Sequence, residues 1–299
     1  MIYKTEMETP YKHVAWECTT VCNYSCTYCK PYFHDGKYRW PSKDHTDNLI
    51  SYLQDYSSGD PIILDIMGGE PTLWPGLRDF CKKVSNFCFV TFSTNGSRSL
   101  RYWEQFDVPL DHLLFSFHPE TASTEHFLSV LEKIQNRMYI TVQILYHPDY
   151  KDKCEHLFNM IDNRGFKVEV EYKFIELGPE NILPKKMKKN ITKQINRNEC
   201  SKNTLQHTKW LVNGVSSDPR LFIKNQINQF QGYQCFVGEH YRYILANGDI
   251  YGAQCNVAPL LGNIYNTDEK KIPQPVICTR RDCYCLSDLV LNKKCYTQE

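Results

Sequence analysis

The sequence predicts an α/β fold: a partial (β/α)6 barrel followed by a small C-terminal module containing a β-hairpin. Three observations carry this. Short apolar runs alternate with segments of helical spacing from residue 13 to residue 175, which argues for parallel strands joined by crossover helices. Each run ends in polar, Gly- or Pro-containing sequence. Beyond about Gly178 the alternation stops, and an Asn-Gly hairpin signal and a second group of cysteines follow.

The elements follow in order. Residues 13–17 (HVAWE) form the first strand and lead into a cluster of cysteines, with Cys18 where that strand should end. Residues 47–56 (DNLISYLQDY) have helical spacing with Asp47 as N-cap. Residues 62–67 (IILDIM) read as a buried strand that stops at Gly68-Gly69. A helix over 76–84 precedes the third strand, 87–92 (FCFVTF), which runs into Ser93-Thr94-Asn95-Gly96. A helix over 98–106 precedes the fourth strand, 112–117 (HLLFSF), ending at His118-Pro119. A helix over 124–137 precedes the fifth strand, 139–145 (YITVQIL). A helix over 153–163, stopped near Gly165, precedes the sixth, 167–175. In parallel barrels the functional site is built from the loops at the C-terminal strand ends. The polar motifs are therefore expected to share one mouth.

After that, 184–189 (PKKMKK) is a basic connector, and 190–231 is Asn/Gln-rich with weak helical periodicity. Residues 241–245 and 250–251 flank Ala246-Asn247-Gly248-Asp249, a hairpin signal. That hairpin lies between Cys235 and Cys255 and should bring them near one another. The expected division is 1–178 for the barrel, 179–231 for a connector and 232–299 for the C-terminal domain.

Composition excludes several classes. Of 299 residues, 41% are hydrophobic and 23% charged, and the net charge is +1. A strongly basic nucleic-acid binder is disfavoured. No apolar run reaches the ~18–20 residues of a membrane span, and no signal peptide is evident. A cytoplasmic location without membrane contact is expected. The unusual number is 14 cysteines. A secreted disulfide framework fits poorly without a secretion signal. The cysteines also cluster at both ends of the chain, which suggests two metal centres in a reducing compartment.

Cys22, Cys26 and Cys29 form a C-x3-C-x2-C triplet. Thiolates are soft ligands suited to iron–sulfur clusters and zinc. Three of them can hold three irons of a four-iron cluster and leave the fourth iron open. The alternative is a zinc site with Cys18 as fourth ligand.

The segment from Thr19 to Cys29, with Tyr28 before the last cysteine, resembles the cluster loop of the radical S-adenosylmethionine (radical SAM) superfamily. Gly68-Gly69-Glu70-Pro71, Ser93-Thr94-Asn95-Gly96, Ser116 and His118-Pro119 follow at successive strand ends, in the family's order. The likeness covers roughly residues 10–178. It implies a TIM-type partial barrel and a [4Fe-4S] cluster held by Cys22, Cys26 and Cys29. S-adenosylmethionine would then contact Tyr28, Gly68, Gly69, Glu70, Ser93, Asn95, Ser116 and Gln143. His118 is the candidate catalytic acid–base residue. The implied chemistry is reductive cleavage of S-adenosylmethionine to a 5′-deoxyadenosyl radical, which removes a hydrogen atom from the substrate.

Cys235, Cys255, Cys278, Cys283 and Cys285, with the Asn-Gly hairpin and Leu261-Gly262-Asn263-Ile264, resemble the SPASM or shorter twitch extension of this superfamily. That implies a second, auxiliary [4Fe-4S] cluster held by four of the five cysteines, with the odd one open. C-x4-C-x-C replaces the usual C-x2-C-x5-C-x3-C run. The resemblance implies an oxidoreductase acting on a peptide or peptide-like substrate by oxidation, crosslinking or epimerisation. A small metabolite such as an aminosugar or nucleoside is the second reading. The electron donor would be of the flavodoxin or ferredoxin kind. The rival from another class is a non-catalytic zinc or iron–sulfur module.

Overall fold

The computed structural model describes residues 5–7, 11–174, 210–212, 215–217, 228–255, 257–266, 272–283 and 285–295. The expected connector, 179–231, lies almost wholly outside these. The strands are β1 (Thr5–Met7), β2 (Lys12–Thr19), β3 (Ile62–Gly68), β4 (Cys88–Thr94), β5 (His112–Phe117), β6 (Ile140–Tyr146) and β7 (Glu169–Phe174). The C-terminal part adds β8 (Trp210–Val212), β9 (Val215–Ser217), β10 (Tyr233–Cys235), β11 (Tyr241–Ile244), β12 (Asp249–Tyr251), β13 (Leu260–Asn263), β14 (Val276–Ile277) and β15 (Lys293–Cys295). The helices are α1 (Lys43–Ser57), α2 (Leu77–Val84), α3 (Leu100–Glu104), α4 (Thr124–Ile134), α5 (Lys151–Arg164) and α6 (Leu286–Leu289).

The chain forms two compact units. One comprises Met1–Glu17, Pro41–Asp65 and Asn203–Glu299; the other comprises Cys18–Trp40 and Ile66–Lys202. Strands β2 and β3 begin in the first and end in the second.

In the second unit, β3 neighbours β4, and β4, β5, β6 and β7 follow one another in a parallel sheet that ends at β7. The barrel is therefore not closed. Alternation explains its two faces. On β5, Leu113, Phe115 and Phe117 are fully buried, whereas His112 and Leu114 are half-exposed. The buried face carries the helices: Phe115 and Phe127 of α4 stack with ring centroids 4.1 Å apart. The other face is polar, with Ser116, Gln143 and Glu171 in one register row. Ser123 caps α4 by accepting from His126 N at 3.3 Å. Gly165 ends α5 in the left-handed conformation, as the sequence predicts.

In the first unit, the predicted hairpin forms, pairing Tyr243 with Tyr251 and Ile244 with Ile250. Asn263 of β13 donates to Asn247 O at 3.0 Å and to Asp249 Oδ1 at 2.8 Å. The Asn-Gly and Leu-Gly-Asn-Ile motifs are thus halves of one turn. β11 runs parallel to the start of β2. β14, β10 and β15 make a small antiparallel sheet.

Three local expectations change. Helix α1 starts at Lys43, not Asp47, because Ser42 Oγ accepts from His45 N at 3.2 Å and caps it there. Cys18 lies inside a longer β2 and is 4% exposed. Within 190–231, the described residues 210–212 and 215–217 are a strand pair rather than helix.

Candidate functional site

The cysteine loop leaves β2 at Thr19 and is closed on itself at its base. Thr20 N donates to Tyr38 O at 2.8 Å, Thr20 Oγ1 to Asp35 Oδ1 at 2.7 Å, and Gly36 N to Thr20 O at 3.1 Å. Cys26 is buried, and Cys22 and Cys29 are half-buried. Cys22 Sγ accepts from Tyr24 N at 3.4 Å and from Asn95 Nδ2 at 3.9 Å. Burial pushes the Cys22 thiol up to about 11 and raises Cys26 and Cys29 as well. A bound cation reverses that, because a coordinating thiol is deprotonated outright.

Among the described residues, no three His, Cys, Asp or Glu side chains converge as a single bound ion requires. An iron–sulfur cluster makes a different demand, since each thiolate takes its own iron. Three soft donors on one pinned loop fit that demand.

Glycine follows from the backbone geometry at Gly68 and Gly69. Gly68 has φ +128°, and a Cβ there would lie 2.3 Å from Thr19 O. A Cβ on Gly69 would lie 2.2 Å from Val21 O. The close approach is used: Gly69 N donates to Thr19 O and Glu70 N to Val21 O, both at 2.8 Å. The glycines therefore stitch the end of β3 to the residues just before Cys22.

Glu70 is 1% exposed and anchors the next strand end. Its Oε1 accepts from Thr72 N (3.0 Å), Thr72 Oγ1 (2.5 Å) and Thr94 Oγ1 (2.7 Å); its Oε2 accepts from Asn95 N (2.7 Å). Burial raises its pKa against these four bonds, which favour the charged form. A carboxylate offers about four acceptor sites, two per oxygen. The four bonds match that number, three of them on Oε1 and one on Oε2. Asn95 Nδ2 reaches Asn23 Oδ1 at 3.1 Å, and Asn23 and Ser97 bond each other, tying this strand end to the cysteine loop.

The remaining expected residues lie on the polar face or beside the cysteines. Ser93 is half-exposed on β4, and Ser116 is 8% exposed on β5. Gln143 is occupied, donating to Glu171 Oε1 at 2.6 Å. His118 Nδ1 lies 3.1 Å from Tyr28 Oη and 3.5 Å from Cys26 Sγ. Burial, with Lys173 nearby, lowers the His118 pKa to about 4. The structure adds Thr72, Thr94, Glu120 and Thr121 as contacting residues. Each lies within a motif visible in the sequence or no more than two residues after one.

In the first unit, burial raises the Cys235 and Cys283 thiols, and neighbouring cysteines add to it: Cys255 and Cys278 for Cys235, Cys285 and Cys235 for Cys283. Cys235 faces Lys293 across β10 and β15, and Lys293 Nζ donates to the carbonyls of Asp288, Leu289 and Leu291. Asp288 is 2% exposed and accepts from Gln254 N at 2.9 Å.

Residues 16–161 match the radical SAM superfamily. Over this stretch the chain is similar to the superfamily's radical SAM domain. The match spans the cysteine triplet and the motifs at the three following strand ends, and it stops short of the C-terminal cysteines. Among solved structures, native anSMEcpe with bound AdoMet is 13% identical, with a TM-score of 0.51 over 87% of this chain and 79% of that one. That likeness shows a shared radical SAM fold. BtrN in complex with AdoMet and 2-DOIA is 12% identical, with a TM-score of 0.44 over 86% and 80%. SuiB of Streptococcus suis bound to precursor peptide SuiA is 11% identical, with a TM-score of 0.41 over 88% and 64%. No curated protein matches the sequence. Among the described residues, no helix is long and apolar enough to cross a membrane.

Proposed function

We propose that this protein is a radical SAM enzyme that cleaves S-adenosylmethionine reductively and abstracts a hydrogen atom from a peptide or peptide-like substrate. The observation that carries this is the pinned loop of Cys22, Cys26 and Cys29, stitched to Gly69 and Glu70 at the C-terminal end of β3. A four-iron cluster bound there would supply the electron that splits the sulfonium into methionine and a 5′-deoxyadenosyl radical.

The chain's own residues hold and orient the reactants. Cys22, Cys26 and Cys29 would hold three irons. Glu70 stands at the strand end where the methionine ammonium would bind, and Oε2, which accepts one bond, is the less occupied of its two oxygens. Ser93, Asn95 and Ser116 offer small polar groups to ribose or carboxylate, while Tyr28 and Gln143 flank the adenine. Cys235, Cys255, Cys278, Cys283 and Cys285 supply the donors for an auxiliary cluster, four of them as ligands. A one-electron donor such as flavodoxin or ferredoxin completes the system. The register row of Ser116, Gln143 and Glu171 favours a second reading, in which a small polar metabolite is the substrate.

Anaerobic reconstitution followed by an assay for 5′-deoxyadenosine tests the reading. Wild type should form 5′-deoxyadenosine on addition of dithionite and S-adenosylmethionine. Cys26→Ala should abolish the product while the C-terminal cysteines keep their iron. Undiminished product in that variant overturns the site. Bound zinc, no iron and no nucleoside product overturns the function.

A further inference from the structure

The loop after β5 is built around one of the three thiols. His118 Nδ1 lies 3.5 Å from Cys26 Sγ, and Thr121 Oγ1 lies 3.9 Å from it. The Tyr28 hydroxyl is also a hydrogen-bond partner of Cys26. Cys22, by contrast, has one backbone amide and one distant carboxamide.

The loop holds these groups in place. The His118 ring stacks on Tyr28 at 6.1 Å and meets Tyr24 edge-on at 6.0 Å. His118 O accepts from Ala122 N at 2.8 Å, and Pro119 O accepts from Lys153 Nζ at 2.7 Å. Glu120 Oε2 reaches back to Thr27 N at 2.8 Å and to Thr27 Oγ1 at 3.3 Å. Thr27 sits between Cys26 and Tyr28, so Glu120 fixes the segment that the donors address. The clamp comes from four consecutive residues, His118 to Thr121.

The nitrogen that His118 turns toward this group is Nδ1, which faces both Tyr28 and Cys26. Resting on the radical SAM reading of the loop, we propose that His118 and Thr121 are positioning residues that donate hydrogen bonds to the Cys26 thiolate and raise the reduction potential of the cluster it ligates. The physical reason is charge. Reduction adds one electron, and part of that charge spreads onto the thiolates. Donors aimed at a thiolate therefore stabilise the reduced form more than the oxidised form. No bond forms or breaks, and the electron comes from the one-electron donor already named.

The test is a redox titration of the reconstituted holoenzyme followed by electron paramagnetic resonance. The signal that changes on adding S-adenosylmethionine identifies the cluster of Cys22, Cys26 and Cys29. In His118→Phe, which keeps the ring stack, the reduced-to-oxidised ratio at fixed poise should fall about tenfold, or about 59 mV for one electron. Thr121→Val should shift it in the same direction by less. His118→Asn, whose amide can replace Nδ1 as donor, should recover part of the loss. Iron content should match wild type throughout. An unchanged potential in iron-replete His118→Phe overturns the proposal. If that variant takes up no iron, Thr121→Val decides alone, and a potential equal to wild type overturns the proposal. Wild-type protein that binds no such cluster overturns the functional reading instead, which separates the two failures.

Discussion

Gly69 shows how little room the site leaves at the residue scale. Its missing Cβ is replaced by the carbonyl oxygen of Val21, 2.2 Å from where that carbon would sit. The obstacle is backbone, so no rotamer relieves it. Gly69→Ala must push β3 and the cysteine loop apart, breaking the two 2.8 Å bonds that join them. The expected outcome is a folded protein whose N-terminal loop no longer takes up iron. Iron content and 5′-deoxyadenosine formation check it. His13, in the first unit, has a different constraint. Its Nε2 is buried without a hydrogen-bond partner among the described residues, and burial lowers its pKa from 6.5 to about 4. The unfolded chain therefore takes up this proton first as pH falls. Stability is full above about pH 6.5 and falls between there and about pH 4. The loss between pH 7 and pH 5 is at most about 2 kcal/mol. His13→Phe should flatten that part of the stability curve, as thermal unfolding at the two pH values would show.

At the scale of elements, the parallel alternation from β2 to β7 was legible because buried strands write themselves as apolar runs. The motifs were legible because each sits where a strand stops. What the sequence concealed are the partners. Glu70 meets Thr94 and Asn95 across 24 and 25 positions, and Cys26 meets His118 across 92. No local spacing encodes such pairs; only the sheet order does. Gly68 and Gly69 had a predicted use in admitting the ligand, while the structure also sets them against protein backbone. The start of α1 was misplaced for a local reason: Asp47 looks like a cap, yet the hydrogen bond goes to Ser42. Ser42→Ala should accordingly cost about 1 kcal/mol. Asp47→Ala removes no cap and should cost less, though it also loses the 2.5 Å contact with Lys43 at the surface. Urea titrations of the two variants rank them.

For the molecule as a whole, the cysteines at the two ends of the chain make a testable separation of roles. The first group lies on a loop fixed by backbone bonds to β3 and has its own donors. The second is gathered by β10, the α6 segment and the turn at Cys255, with buried Lys293 and Asp288 beside it. The superfamily match covers the first group and ends before the second. If both groups hold four-iron clusters, wild type should bind about eight irons. A Cys235→Ser, Cys283→Ser double variant should then bind about four. Its 5′-deoxyadenosine formation without substrate should stay near wild type, because Cys22, Cys26 and Cys29 are untouched. Turnover of the true substrate to product should fall at least tenfold, because the substrate radical loses its electron acceptor. Chemical iron analysis, together with separate assays of nucleoside and product, distinguishes the outcomes. Equal iron in wild type and the double variant would show that the C-terminal thiols carry no cluster. Their grouping would then serve the local fold alone, and the hydrogen-abstraction chemistry would rest on the N-terminal site by itself.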